Sequence, residues 1–103
     1  MQIKDEEINL RITPQGIYEA ERINPNIDIL GILRMPTYES KEPRLSDYLT
    51  LIYVAYITVK YVDNKKKIDI SLEDFIKFFD MEDTNTLIEI NKEGVKLLFT
   101  PKN

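Results

Sequence analysis

The densest run of side chains that could do chemistry is Asp80-Met81-Glu82-Asp83-Thr84-Asn85, rich in oxygen ligands for a hard cation. An EF-hand calcium loop needs Gly at its sixth position and a bidentate Glu at its twelfth. Counted from Asp80, those positions hold Asn85 and Asn91, so the run reads as an acidic turn that also caps the helix after it. Asp5-Glu6-Glu7 and the pair Glu19 and Glu21 could supply carboxylates for hydrolysis. Acid–base work needs a pocket that pushes two pKa values apart, whereas these acids fall in a charged tail and on a solvated helix face. The chain has no His and no Cys, which removes the commonest general base, the thiolate nucleophile and the usual zinc ligands. No Gly-rich phosphate loop is present. The residues therefore define no catalytic site, no metal ligand set and no cofactor.

Charge narrows the partners. The formal net charge is −4, with a pI near 4.8, which disfavours a nucleic-acid binder because phosphate contacts need clustered Lys and Arg. The one basic run, Lys65-Lys66-Lys67, reads as a solvated loop complementing the negative end of the helix before it. The stretch from Ser71 to Phe99 could be cast as a helix-turn-helix. Its second helix balances two lysines with two glutamates, is otherwise mostly apolar, and lacks the Arg and Gln that read base edges. The opening MQIKDEEINL is too acidic for a secretory signal, and the central apolar run is shorter than the ~20 residues that span a bilayer. A soluble intracellular protein without nucleic-acid or membrane partners is expected.

The elements that would position any site are better marked. At 103 residues, with 43% hydrophobic and 31% charged content, the chain suits one folded domain over residues 1–103. Tyr48 to Val62, YLTLIYVAYITVKYV, is apolar on every side, interrupted by Thr50, Thr58 and Lys60. A helix greasy all round has to be surrounded. Thr13-Pro14 caps and opens a first helix with Ile17, Ala20 and Ile23 inward, closed by Asn24-Pro25-Asn26. A second follows from about Ile27 to Met35 with Ile27, Leu30 and Leu33 inward, ended by Pro36. Thr37 to Arg44 reads as a loop, and Ser46-Asp47 opens the central helix. Ser71-Leu72-Glu73-Asp74 has the form of a capping box, leading into a stripe of Leu72, Phe75, Ile76 and Phe79. A last helix runs from about Asn85 to Phe99. Ile8, Leu10 and Ile12 alternate with polar residues as in a short strand, for which Lys67-Ile68-Asp69-Ile70 is the best internal partner. The expected fold is mainly α, a compact bundle of about five helices around a central buried helix, with room for a minimal two-stranded β ladder.

Apolar surface is in surplus. In the last helix Leu87, Ile88, Ile90, Val95, Leu97, Leu98 and Phe99 cover more than half the circumference, an arc wider than packing on one neighbour requires. Gly94 lowers helix stability by up to ~1 kcal/mol and marks a close approach. Phe78 lies off the stripe of its helix. Such residues either complete the core or form an interface. As interface they are Ile8, Leu10 and Ile12 on the ladder, with Phe78, Leu97 and Phe99 around the final helix.

The order of these parts resembles the small tail assembly chaperones of long-tailed (siphovirus-type) bacteriophages of Gram-positive bacteria. The pieces are INLRITPQGIYEAERI, NIDILGIL, LSDYLTLIYVAYI, ISLEDFIKFFDM and an apolar last helix ending LLF, together from about Ile8 to Phe99. The resemblance implies a non-enzymatic protein of the host cytoplasm that self-associates and coats the tape measure protein until tail tube subunits assemble around it. The tail tube protein is then a further partner, and the chaperone is absent from the mature virion. Many members also occur as a longer frameshifted form. The family carries no catalytic signature, so no active-site residue transfers. The competing class is a small helical regulatory or antitoxin-like protein-binding module from a mobile element, and an enzyme using carboxylates alone is more remote.

Overall fold

With Leu, Ile, Val and Tyr on every face, the segment after Arg44 has no side to turn to water, and the rest of the chain is folded around it. The computed structural model describes residues 1–35 and 42–99; Pro36, expected to end the second helix, and most of the loop 37–44 lie outside them. The central helix is α3, Leu45–Ile57. It starts one residue earlier than Ser46, with the Asp47 carboxylate accepting the Arg44 N–H at 2.8 Å. Every residue from Leu49 to Ala55 is buried. The two threonines that break its apolar cover turn inward on their own helix: the Thr50 hydroxyl donates to Ser46 O and the Thr58 hydroxyl to Val54 O, each at 2.9 Å. Their polarity is thus spent on helix carbonyls, and the outside of the helix stays apolar. Beyond Ile57 the helix does not run on regularly to Val62, as the sequence suggests, but widens into a π-helical turn, Thr58–Val62. The Asn64 amide closes this end by donating to Val59 O at 3.1 Å and to Lys60 O at 3.3 Å.

Among the described residues, four further α-helices enclose α3. Helix α1, Pro14–Ile23, is capped by Thr13, whose hydroxyl accepts the Gly16 N–H at 3.1 Å. Gly16 is there because of space: a Cβ at that position would lie 1.9 Å from the Thr58 hydroxyl. Helix α2, Ile29–Arg34, is shorter than the expected 27–35 span because Asp28 caps it, accepting the Gly31 N–H at 2.9 Å. That start places Ile29 and Ile32 in the core and turns Leu30, expected inward, to solvent. Helix α4, Leu72–Ile76, is a short turn opened by Ser71, whose hydroxyl accepts the Asp74 N–H at 3.2 Å, and it delivers Phe75 into the core. Helix α5, Thr84–Phe99, is the longest and packs most extensively along α3.

One side chain ties three of these pieces together. The Asn24 amide nitrogen donates to Ala20 O and to the Tyr53 hydroxyl, both at 2.9 Å, while its oxygen accepts the Leu72 N–H at 3.0 Å. Tyr53 in turn donates to Ile70 O at 2.7 Å. The end of α1, the middle of α3 and the start of α4 are thereby fixed in register. The polar tip of a buried tyrosine is satisfied in the process.

The ladder is elsewhere than expected. Strands β1, Gln2–Ile3, and β2, Glu6–Glu7, pair antiparallel around a two-residue turn in which Lys4 and Asp5 both have positive φ, 52° and 65°. That geometry matches strand twist in tight hairpins. Met1 and Ile8 extend the pairing, with Ile8 N donating to Met1 O at 2.9 Å. The acidic opening is thus an anchored hairpin with Met1, Ile3 and Ile8 buried. The segment from Ile8 to Ile12 keeps its alternation, Ile8 buried, Leu10 and Ile12 half-buried, Asn9 and Arg11 exposed, but forms no ladder with Lys67–Ile70. Period-2 patterning reports which side faces the body; backbone pairing is a separate, non-local choice.

Gly94 gives the sharpest test of this packing. A Cβ there would lie 2.4–2.5 Å from the Cβ, Cγ and Cδ1 atoms of Tyr48, close to the stem of a side chain that cannot swing clear. Ala improves helix propensity by up to ~1 kcal/mol, while overpacking opposes it by ~1–3 kcal/mol. Gly94→Ala is therefore expected to lower the denaturant midpoint of unfolding; an unchanged or raised midpoint would mean that α5 does not lie this close to α3.

Candidate protein-interaction surface

Helix α5 owes its start to the acidic turn. Asp83 accepts the Asn85 N–H through Oδ1 at 3.0 Å and the Leu87 N–H through its carbonyl at 3.2 Å, and Asp80 accepts the Glu82 N–H at 3.0 Å. These acids act on the backbone as turn and cap. From there 100° per residue sorts the helix into two faces. Ile90, Glu93, Gly94, Leu97 and Leu98 are buried against the body. Ile88, Lys92, Val95 and Phe99 fall within about 60° of one another on the opposite side. Ile88 is 59% exposed, Val95 41% and Phe99 65%. The broad apolar arc seen in the sequence is two stripes back to back, one core and one open to solvent.

The six residues singled out from sequence divide accordingly. Phe99 lies on the open stripe. Leu97 and Ile8 do not contribute surface: they are 6% and 3% exposed and belong to the core, Leu97 because it falls in line with Gly94 and Ile90, Ile8 because it closes the hairpin. Leu10 and Ile12 are half-buried, packed against the body. Phe78 is half-buried in an aromatic cluster, 5.6 Å from Phe75 and 6.4 Å from Tyr56 between ring centroids. The Lys4 ammonium lies 4.6 Å above its ring, a cation–π contact that suits a ring at the edge of the core. Sequence reasoning did not single out Ile88 and Val95. The signal was available in Gly94, which marks the contact line of α5 and so places Ile88, Val95 and Phe99 away from it.

The titratable groups are occupied with the fold. Glu93, buried on the inner face of α5, lies 4.0 Å from the Met1 ammonium and 3.7 Å from the Lys96 Nζ; Glu7 meets the same ammonium at 2.8 Å. The Lys60 ammonium donates to both oxygens of Glu6 at 2.8 Å, which raises its pKa, and Arg11 pairs with Asp63. These contacts pin the hairpin and the segment after it onto α5 and onto the π-helical turn and the residue that follows it. Among the described residues, no group of three or more acids is gathered as a metal site, and no helix is long and apolar enough to cross a membrane. No family model matches the chain, and neither the curated proteins nor the solved structures provide a match.

Burial shifts three tyrosines in one direction. Tyr53 and Tyr56 are raised above the ordinary 10.0 chiefly by desolvation, as is Tyr61, to which hydrogen bonding to Asp69 adds. An unfolded tyrosine ionises near 10, so the stabilisation associated with the buried Tyr53 and the half-buried Tyr56 and Tyr61 is complete below about pH 10 and lost as pH rises through the folded values. The melting temperature is expected to hold steady up to about pH 9 and to fall above about pH 10. Phenolate absorbance should rise in step with unfolding. A full complement of phenolates on an intact fold would show that these side chains are not held as described.

Proposed function

We propose that this chain is a non-enzymatic tail assembly chaperone of a long-tailed bacteriophage, binding the tape measure protein and copies of itself during tail morphogenesis. The observation that carries the proposal is the open stripe of Ile88, Val95 and Phe99 on the longest helix, apolar surface left over after the core is complete. In a solitary protein such a stripe promotes aggregation, and in a chaperone it is the working surface. The formal net charge of −4 suits the task, since like charge keeps complexes with an apolar client dispersed. Tyr18 on α1 and Leu30 on α2 are also exposed and are available for contacts between copies. On this reading the protein works in the host cytoplasm, hands its client to tail tube subunits, and is not part of the mature virion.

Co-expression tests this directly. On this reading a tape measure protein is encoded beside this chain, and it should remain soluble when the two are made together and precipitate when made alone. Light scattering of the isolated chain at rising concentration should report oligomers. A strictly monomeric protein that leaves its neighbouring tape measure protein insoluble would remove the proposal, and a one-to-one regulatory binding module would replace it.

A further inference from the structure

We infer that the outer stripe of α5 is a docking seam for an amphipathic helix of another protein that presents an acidic residue to Lys92. The inference deepens the assembly-chaperone reading, and rests on it for the identity of that protein as the client. The spacing identifies the shape of the occupant. Positions 88, 92, 95 and 99 follow the i, i+4, i+7, i+11 rhythm of a helix–helix seam, about 16 Å long at 1.5 Å per residue. An extended peptide would need alternate pockets or an open sheet edge, whereas a straight stripe on a helix accepts another helix. The platform is firm: the opposite face of α5 is buried through Ile90, Leu97 and Leu98, so the seam does not need to be assembled on binding.

Charge identifies the chemistry of the occupant. Lys92 borders the stripe, between Ile88 and Val95 along the axis and about 20° beyond Phe99 around it, and among the described residues no carboxylate forms an ion pair with it. Covering the stripe removes water from that ammonium, which is unfavourable unless the covering surface brings an opposite charge. The same lysine disfavours a second copy of this chain. Antiparallel pairing centred on the stripe would set the two Lys92 residues about 4.5 Å apart along the axis, and parallel pairing in register would set them side by side. Like charges across a seam oppose association, so Lys92 acts as a selector against self-pairing and in favour of an acidic partner.

Two designed helical peptides test the inference. Both carry Leu along an i, i+4, i+7, i+11 stripe; one presents Glu and the other Lys where Lys92 would face it. By fluorescence anisotropy the Glu peptide is expected to bind at least about tenfold more tightly, with the advantage shrinking as salt rises. Lys92→Glu should reverse the preference, and Ile88→Ser combined with Phe99→Ser should weaken both peptides at least about tenfold. These positions are exposed, so melting temperature and helical circular dichroism should stay at the parent values in each variant. Equal binding of the two peptides, no binding, or affinities indifferent to the substitutions would overturn the inference. So would sedimentation showing oligomers that Phe99→Ser dissolves, because the stripe would then belong to a second copy. The two readings separate cleanly. Rescue of the tape measure protein that survives both Lys92→Glu and Phe99→Ser removes the seam and keeps the chaperone. Charge-selective peptide binding without any rescue keeps the seam and removes the chaperone.

Discussion

The architecture depends on the requirement that α3 be enclosed on all sides. A helix with one apolar face can lie on a neighbour, and a second layer completes it. A helix apolar all round needs neighbours in every direction, and a chain of 103 residues has few elements to spend on them. Each remaining segment is accordingly committed: α1 across α3 and its π-helical turn, α2 and α4 as short plugs delivering Ile29, Ile32 and Phe75, the N-terminal hairpin adding Met1, Ile3 and Ile8, and α5 along the length. The two close approaches, Gly16 on Thr58 and Gly94 on Tyr48, are where enclosure leaves no room for a side chain.

Enclosure also fixes the polar groups. A buried tyrosine must bring its hydroxyl to a partner, and Tyr53 finds Ile70 O and Asn24. Because Asn24 also reaches Ala20 O and Leu72 N, satisfying one hydroxyl aligns segments far apart in sequence. Such a network is worth keeping only when complete, and no buried side-chain polar atom among the described residues lacks a partner. The ion pairs of Lys60 with Glu6 and of Arg11 with Asp63 sit at the surface and contribute little to stability individually. Their effect is to hold the N-terminal segment against the helix it covers.

What was legible in the sequence follows the range of the interactions. Thr13-Pro14 and Ser71 identified their helix starts because caps act within a turn, and the central helix was legible because its lack of any polar face is a property of the segment itself. The hairpin was not, since Lys4 and Asp5 lack the Gly or Asn that announces such a turn, and the acids around it suggested an exposed tail. Alternation from Ile8 to Ile12 reported sidedness correctly and pairing wrongly, because pairing depends on a distant strand being free. The phase of α2 shifted with its Asp28 cap. In α5 composition alone merges two stripes into one arc, with Leu97 on the buried one and Ile88 and Val95 on the open one. Within the sequence only Gly94 marks which of the two faces α3.

Structure and proposed function meet in that separation. One face of α5 completes the enclosure of α3, and the other has nothing left within the described chain to cover, which makes it available to a partner without disturbing the core. Hydrogen exchange, read along the chain with and without the tape measure protein, tests this division of labour most directly. The expected result is that α3 amides from Leu49 to Ile57 exchange slowest in both states, through global unfolding alone, while the client adds protection over residues 88–99. Exchange in α3 as fast as in the short α4, or a client that protects other segments and leaves α5 unchanged, would contradict it.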